Sequence, residues 1–154
     1  MKNWQKLVIA ILIPQVSGVL GALVTVSSVG SWYQTINKPS FNPPSWIFGP
    51  VWTSLYIMIG ISLYLIWKSN HPFKKKAMWL FGIQMVLNTL WSPAFFGLES
   101  PLLGLIVIIP LWVSILACIK VFKPISNLAA YLFIPYFLWV SFATLLNASI
   151  WYLN

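Results

Sequence analysis

The stretch LLGLIVIIPLWVSILACIKVF, residues 102–122, decides the fold class of this chain. Its one charged side chain, Lys120, lies close to its end. About 20 consecutive apolar residues are enough for a helix to cross the hydrocarbon core of a bilayer. A backbone inside hydrocarbon must also satisfy its own hydrogen bonds, and a helix does so. The stretch therefore predicts a transmembrane helix.

Four further stretches have the same apolar character, at residues 7–29, 45–67, 77–96 and 128–153. The chain of 154 residues is 60% hydrophobic and 6% charged, whereas about a quarter of the residues of a soluble domain are charged. Its mean hydropathy is +0.86. The first stretch is too long for a signal peptide, and no small-residue cleavage pattern follows it. The sequence predicts an all-α integral membrane bundle of five transmembrane helices, forming one domain over residues 1–154.

The placement of the lysines predicts the orientation of this bundle. With five spans, eight of the nine lysines fall on the side of the N-terminus, and Lys38 alone falls on the other. Lysine-rich loops stay in the cytoplasm. We therefore expect a multi-pass protein of the cell membrane with its N-terminus in the cytoplasm and its C-terminus outside. The net charge of +8 reflects this topology and contact with the lipid bilayer, and no nucleic-acid partner is expected.

The outer loop, residues 30–44, is the one long connection between spans and reads GSWYQTINKPSFNPP. Loops of this length without secondary structure of their own are often lids or binding loops. We expect Trp32 and Tyr33 to close over a bound ligand. Asn42 precedes two prolines, which predicts that it caps the second span.

The ten tryptophans divide into two groups. Six lie near span ends, where tryptophan commonly anchors a helix at the membrane interface. The other four lie within spans and are available for an aromatic ligand site. The first group is Trp4, Trp32, Trp46, Trp67, Trp79 and Trp151, and the second is Trp52, Trp91, Trp112 and Trp139.

Several kinds of catalysis are disfavoured by the scarcity of ionisable residues. The chain has one acidic residue, one histidine and one cysteine. These residues do not provide a carboxylate pair, a Ser-His-Asp triad or a set of metal ligands. Neither a hydrolytic site nor a metal site is expected.

Uncharged polar and aromatic side chains recur at helical spacing on three spans, and they should point inward because lipid contact would be costly. Two interpretations remain open: interhelical hydrogen bonds that hold the bundle together, and a ligand site. On the first span, Ser17, Gly18, Gly21 and Ala22 suit close helix contact, including homodimerisation. The three inward faces are Trp52 and Tyr56; Gln84, Asn88, Trp91 and Ser92; and Tyr136, Trp139, Ala143, Leu146 and Asn147.

Three blocks of sequence carry a resemblance to a known family. They are NKPSFNPPSW at 37–46 with FGPVWTSLY at 48–56, LNTLWSPAFFG at 87–97, and PYFLW at 135–139 with ATLLN at 143–147. Together they resemble the tryptophan-rich sensory protein and translocator protein family, also called peripheral-type benzodiazepine receptors, and in particular its bacterial members.

The resemblance implies a five-helix bundle, often a homodimer, with a pocket beneath the outer loop. It implies binding of tetrapyrroles such as protoporphyrin IX, and of synthetic isoquinoline carboxamides or benzodiazepines. By motif, Trp52, Asn88, Trp139 and Ala143 match pocket positions. The full set of expected ligand-binding residues is Trp32, Tyr33, Trp52, Tyr56, Asn88, Trp91, Ser92, Trp139, Ala143 and Leu146.

Bacterial members that this chain resembles are associated with light-dependent porphyrin degradation. Trp52 and Trp139 are the expected catalytic residues, as electron donors to an excited porphyrin, with no obligatory cofactor. The alternatives are a passive transporter of porphyrins and a stress sensor that acts through a partner. The cholesterol-recognition pattern of animal members reads Ala148 and Tyr152 here, so steroid transport is not expected.

Overall fold

The structure is a computed structural model that describes residues 1–154, and it contains helices but no strands. A 3₁₀ turn at Ser45–Ile47 leads into the third helix, and a π-helical turn at Pro93–Gly97 follows the fourth. The six α-helices are α1 (Asn3–Val29), α2 (Trp32–Thr35), α3 (Phe48–Lys68), α4 (Lys74–Ser92), α5 (Pro101–Phe122) and α6 (Asn127–Leu153).

The sequence predicts five transmembrane helices, and the structure has a sixth, short helix because part of the outer loop is helical. The short helix α2 forms there with the help of its own polar side chains. Gln34 donates from Nε2 to the Val29 carbonyl oxygen at 2.9 Å. Thr35 donates from Oγ1 to the Trp32 carbonyl oxygen at 2.7 Å.

Four helical segments are long and apolar enough to cross a membrane: α1, Ser45–Lys68, α5 and α6. The helix α4 is less apolar, since it begins with three lysines and carries Gln84 and Asn88. The structure thus agrees with a multi-pass membrane protein, while the count of five spans and the orientation of the termini remain predictions.

The five long helices form a ring in the order α1, α3, α6, α5, α4. The helix α1 packs against α3 and α4, α3 packs against α6, and α5 packs against both α4 and α6. The outer loop joins α1 to α3, and we call the half of the bundle beside it the outer half. The opposite half, which holds the start of α1 and the end of α3, is the inner half.

Glycines bring α1 and α3 together in the inner half. A Cβ atom at Gly60 would lie 2.6 Å from Ile11 Cα and 2.8 Å from the carbonyl oxygen of Ala10. Gly18 faces the ring of Tyr56 in the same way, with 2.5 Å to Cε2. Because Gly18 packs against α3, this small residue is used inside the chain. A homodimer remains a prediction, and this glycine is not free to serve as its contact.

Candidate functional site

A cavity of about 500 Å³ lies in the outer half, between α1, α3, α4 and α6. Its size falls within the range of about 300–1,000 Å³ that is usual for small-molecule sites. Most of its wall is apolar, and Tyr33 of the outer loop borders it. Such a cavity suits an apolar molecule, because most of the surface of that molecule would meet hydrocarbon or aromatic rings.

Nine of the ten residues expected to bind ligand line this cavity. Trp32 does not line it. Its ring meets Phe95 edge-on at 5.7 Å between centroids, so it supports the cavity wall from behind. The nine lining residues are Tyr33, Trp52, Tyr56, Asn88, Trp91, Ser92, Trp139, Ala143 and Leu146.

The four tryptophans within the predicted spans have two different environments. Trp52, Trp91 and Trp139 line the cavity from three different helices. Trp112 lies elsewhere and donates from Nε1 to Ser141 Oγ at 2.7 Å. The distribution leaves Trp112 as a structural residue that ties α5 to α6.

Aromatic neighbours fix the orientation of the three indole rings. Trp52 stacks on Tyr56 with centroids 5.3 Å apart and 29° between the planes. Trp91 stacks on Phe95 at 5.3 Å and 23°. Trp139 lies 5.9 Å from Phe48, edge-on. Aromatic pairs of this kind each contribute about 0.5–1.5 kcal/mol beyond the burial of area, so the cavity has rigid aromatic walls.

A network of buried hydrogen bonds crosses the bundle at the inner end of the cavity. Asn88 Oδ1 accepts from the Tyr56 hydroxyl at 3.0 Å, and Asn88 Nδ2 donates to the Tyr136 hydroxyl at 2.9 Å. The Tyr136 hydroxyl donates in turn to Gln84 Oε1 at 2.9 Å. Both ends of the Asn88 amide are therefore engaged by the protein. Asn88 borders the cavity and also joins α3, α4 and α6.

Asn147 also has its amide engaged within the chain. Its Oδ1 accepts from Trp91 Nε1 at 3.1 Å, and its Nδ2 donates to the Pro101 carbonyl oxygen at 2.7 Å. Trp139 differs, because its Nε1 is buried and has no hydrogen-bond partner in the chain. The amides of Asn88 and Asn147 thus hold the bundle together, as the first interpretation expects, and the aromatic rings line the cavity. The ligand site remains a prediction.

Gln15 is a lining residue that the sequence reasoning misses. It lies on α1 and borders the cavity, and its side chain is half-buried and makes no hydrogen bond within the chain. The signal that could have found it is that Gln15 is the one amide side chain of the first span, since polar groups inside membrane helices tend to face a cavity or a partner. Its side-chain amide is therefore a polar group of the cavity wall that has no partner within the chain, like the indole nitrogen of Trp139.

The outer loop is held by Tyr33. The Tyr33 side chain is buried and its hydroxyl donates to Asn42 Oδ1 at 2.9 Å. Burial raises the pKa of Tyr33 above its usual value, and the hydrogen bond to Asn42 lowers it only in part, so the hydroxyl is protonated at neutral pH. The prediction that Asn42 caps the second span is wrong. Its side chain binds Tyr33, and the helical turn begins after Pro44.

Two further sets of contacts, made by Lys38 and by Asn37, fix this loop. Lys38 lies over the ring of Tyr33, 4.9 Å from its centroid, and Lys38 Nζ donates to the Tyr33 and Ile36 carbonyl oxygens. Asn37 N donates to Asn154 Oδ1 at 2.9 Å, and Asn154 Nδ2 donates back to the Asn37 carbonyl oxygen at 2.9 Å. The loop is therefore tied to itself and to the end of α6.

Comparison with known proteins agrees with the motifs. The sequence profile of the TspO/MBR family matches residues 10–153. The chain belongs to the TspO/MBR family. This confirms the resemblance carried by the three sequence blocks.

Relatives within the TspO/MBR family come from archaea, bacteria and animals. The tryptophan-rich protein TspO of Archaeoglobus fulgidus is 42% identical over 152 residues, which cover 99% of each chain. Protein CrtK of Rhodobacter capsulatus is 38% identical over 138 residues, which cover 87% of this chain and 85% of CrtK. The translocator protein of Bos taurus is 35% identical over 143 residues, which cover 91% and 85%.

Proposed function

We propose that the outer-half cavity binds a tetrapyrrole, with protoporphyrin IX as ligand or substrate, and that illumination of the complex starts degradation of the porphyrin. The observation that supports this most is the convergence of Trp52, Trp91 and Trp139 on one cavity of about 500 Å³. Flat indole faces are suited to a flat conjugated ring system. Isoquinoline carboxamide and benzodiazepine ligands, which are also largely aromatic, are expected in the same cavity.

Polar groups would set the orientation of the ligand. Because Asn88 and Asn147 are engaged by the protein, the free amide of Gln15 is the group that we assign to a carboxylate or carbonyl of the ligand. A few placed polar groups in an apolar pocket are the usual source of orientation in small-molecule sites.

The photochemical step needs no acid or base. The excited porphyrin takes one electron from the indole of Trp52 or Trp139, so that the porphyrin is reduced and the indole is oxidised. A metal-free porphyrin suits this cavity, since no histidine or cysteine lines it. The Tyr33 and Tyr56 hydroxyls, which do border it, both donate to asparagine side chains.

The experiment is illumination of the purified protein with protoporphyrin IX in detergent, followed by its absorption spectrum. We expect the pigment to change faster with protein than in detergent alone. The Trp52→Phe, Trp139→Phe double variant should keep an aromatic wall and bind porphyrin, yet react more slowly, because phenyl is a poorer electron donor than indole.

Trp112→Phe is the matched control, since Trp112 is half-buried but lies outside the cavity. It should react at the wild-type rate. Equal rates for the wild type and the double variant at matched porphyrin occupancy would contradict the chemical role. Loss of binding in the double variant would show instead that indole is needed for recognition.

A passive carrier for the same ligands is the second candidate function. The observation in its favour is that the outer loop borders the cavity through Tyr33. To serve as a gate, this loop would have to release its ties to α6. A carrier or a sensor would leave the absorption of the pigment changing no faster than in detergent, so the illumination experiment separates these functions from the first.

The orientation belongs to the proposal as well, with the N-terminus in the cytoplasm of a cell-membrane protein. A thiol introduced by Lys75→Cys should be protected from a membrane-impermeant maleimide in intact cells, and it should react after lysis. Ready labelling in intact cells would show the opposite topology, with the N-terminus outside. Cys118 is fully buried and gives little background.

A further inference from the structure

The exposed part of the cavity wall lies on one side only. Six of its lining residues are exposed at the molecular surface, and all of them belong to α1 or to the start of the α3 segment. The lining residues contributed by α4, α5, α6 and the outer loop are buried or half-buried. The six are Val19, Ala22, Val26, Ser45, Gly49 and Thr53. The cavity is thus open between α1 and α3.

The opening has a definite lower edge. In the inner half α1 and α3 touch at Gly60, and further along they touch where Gly18 faces the ring of Tyr56. Beyond that contact the large side chain of Trp52 follows on α3, one turn from Tyr56. The two helices therefore leave the opening in the outer half and close below it.

The roof offers no comparable route. Tyr33 is buried against Phe95 and Phe96, and its hydroxyl is bonded to Asn42. The loop is also tied to the end of α6 through Asn37 and Asn154. Entry through the loop would break these contacts together, whereas the side opening requires none of them to break.

The chemistry of the opening is apolar. Val19, Ala22 and Val26 form its α1 edge, and on the other edge the Thr53 hydroxyl donates to the Gly49 carbonyl oxygen at 2.9 Å. The neighbouring surface of α1 exposes Val16, Leu20 and Leu23, which suits contact with lipid chains.

We infer that the cavity is entered sideways, through the gap between α1 and α3. The entering molecules are already dissolved in the membrane hydrocarbon that surrounds the outer half of the bundle. The class of ligand is therefore a bilayer-partitioned apolar or amphipathic molecule. The inference rests on the cavity being the ligand site of the proposed function, but not on the identity of the ligand.

A thiol inside the cavity tests the route without any porphyrin. The full chain, carrying Ala143→Cys and Cys118→Ala, is placed in phosphatidylcholine vesicles. Labelling is followed with two maleimides, one that partitions into bilayers and one that is water-soluble and impermeant. Ala143 lines the cavity on α6, away from the opening.

Two matched double variants are made on this background. The first is designed to block the gap, and the second is a control that leaves the gap open. Val19→Trp with Val26→Trp alters residues that line the cavity and are 60% and 75% exposed. Val16→Trp with Leu23→Trp alters residues at the same spacing that are 57% and 70% exposed but do not line it. Both pairs add the same two indoles to a lipid-facing surface of α1.

We expect the bilayer-partitioned reagent to label the introduced thiol. The Val19→Trp, Val26→Trp pair should slow this labelling about tenfold, which is about 1.4 kcal/mol of added barrier, and the control pair should not. The inference is overturned if the impermeant reagent labels as fast as the partitioned one, if neither reagent labels, or if both pairs behave alike.

The proposed function fails by a different result. If wild-type protein shows no saturable binding of protoporphyrin IX while the labelling pattern is as expected, the porphyrin assignment is wrong and the side entry stands. If porphyrin binds but the labelling is insensitive to the Val19→Trp, Val26→Trp pair, the site stands and the route is wrong.

Discussion

The inner and outer halves of the bundle use the same helices in opposite ways. In the inner half α3 is closely packed, with Ile59, Gly60 and Ile66 all buried. In the outer half the same helix leaves Gly49 and Thr53 exposed beside a cavity. Small residues bring helix backbones together in membranes. The large aromatic side chains of the outer half instead line a cavity.

The polar groups that border the cavity differ in whether they have a partner within the chain. The inner end of the cavity rests on the paired side chains of Gln84, Asn88 and Tyr136. The indole nitrogen of Trp139 has no partner, and neither has the side-chain amide of Gln15, which borders the same cavity. The contrast teaches that the paired polar groups supply stability, while the unpaired groups beside the open space are available to a ligand.

The largest effect is expected from breaking the close contact in the inner half. Gly60→Leu places a side chain against the backbone of α1, where even a Cβ atom would lie 2.6 Å from Ile11 Cα. Overpacking of this kind typically costs up to about 3 kcal/mol. We expect a large fall in the unfolding temperature in detergent.

Gly82→Leu is the control for this variant. A Cβ atom at Gly82 would meet no other atom within 4 Å, and an apolar leucine side chain can contact lipid there without an energetic penalty. Its unfolding temperature should equal that of the wild type. A Gly60→Leu protein as stable as the Gly82→Leu protein would show that the inner half is not closely packed.

A smaller loss of stability is expected from the buried network. Tyr136→Phe removes the hydroxyl that links Asn88 to Gln84 and leaves both amides short of a partner. An unpaired buried polar group costs about 1–3 kcal/mol. Thermal unfolding should show this loss, while Tyr152→Phe, at an exposed residue, should show none. Equal stability of the two variants would show that the buried network does not contribute to the free energy of unfolding.

In the outer half the expected effects fall on ligand kinetics. Tyr33→Ala removes an aromatic wall of the cavity, which contributes about 0.5–1.5 kcal/mol. The dissociation rate of protoporphyrin IX should rise several-fold in stopped-flow fluorescence. Trp32→Ala, outside the cavity lining, should raise it less. The reverse order would mean that the two side chains exchange roles when the ligand is bound.

The smallest effect is expected at the tie between the loop and α6. Asn154→Ala removes two hydrogen bonds to Asn37 at the exposed surface. If ligands pass between α1 and α3, the association and dissociation rates of protoporphyrin IX should change less than about twofold, since exposed hydrogen bonds contribute little. A marked acceleration of both rates would favour the gated carrier instead.

Much of the fold can be predicted from the sequence because hydrophobic length fixes where a membrane helix ends. Residues 102–122 and 128–153 are predicted, and the helices run over Pro101–Phe122 and Asn127–Leu153. The helix α2 is missed because its single turn depends on side-chain hydrogen bonds of Gln34 and Thr35 rather than on an apolar pattern.

The site is predictable where it follows helical spacing within one span, and less so where it depends on pairing between spans. The face of Trp139 and Ala143 lines the cavity as expected. The engagement of Asn88 is not readable, because its partners Ser17 and Tyr136 are 71 and 48 residues away in the chain. Spacing places an amide on a face, but only the packed bundle decides whether a ligand can use it.

Equilibrium titration of protoporphyrin IX against a cavity-filling variant tests the central claim most directly. Ala143→Trp would fill the cavity from α6, whereas Ala148→Trp, on the same helix, lies outside it. We expect wild-type protein and Ala148→Trp to bind protoporphyrin IX with similar affinity, and Ala143→Trp to bind more than about tenfold more weakly while unfolding at a similar temperature, a loss of about 1.4 kcal/mol or more. Equal affinity in all three proteins would contradict the assignment of the outer-half cavity as the tetrapyrrole site.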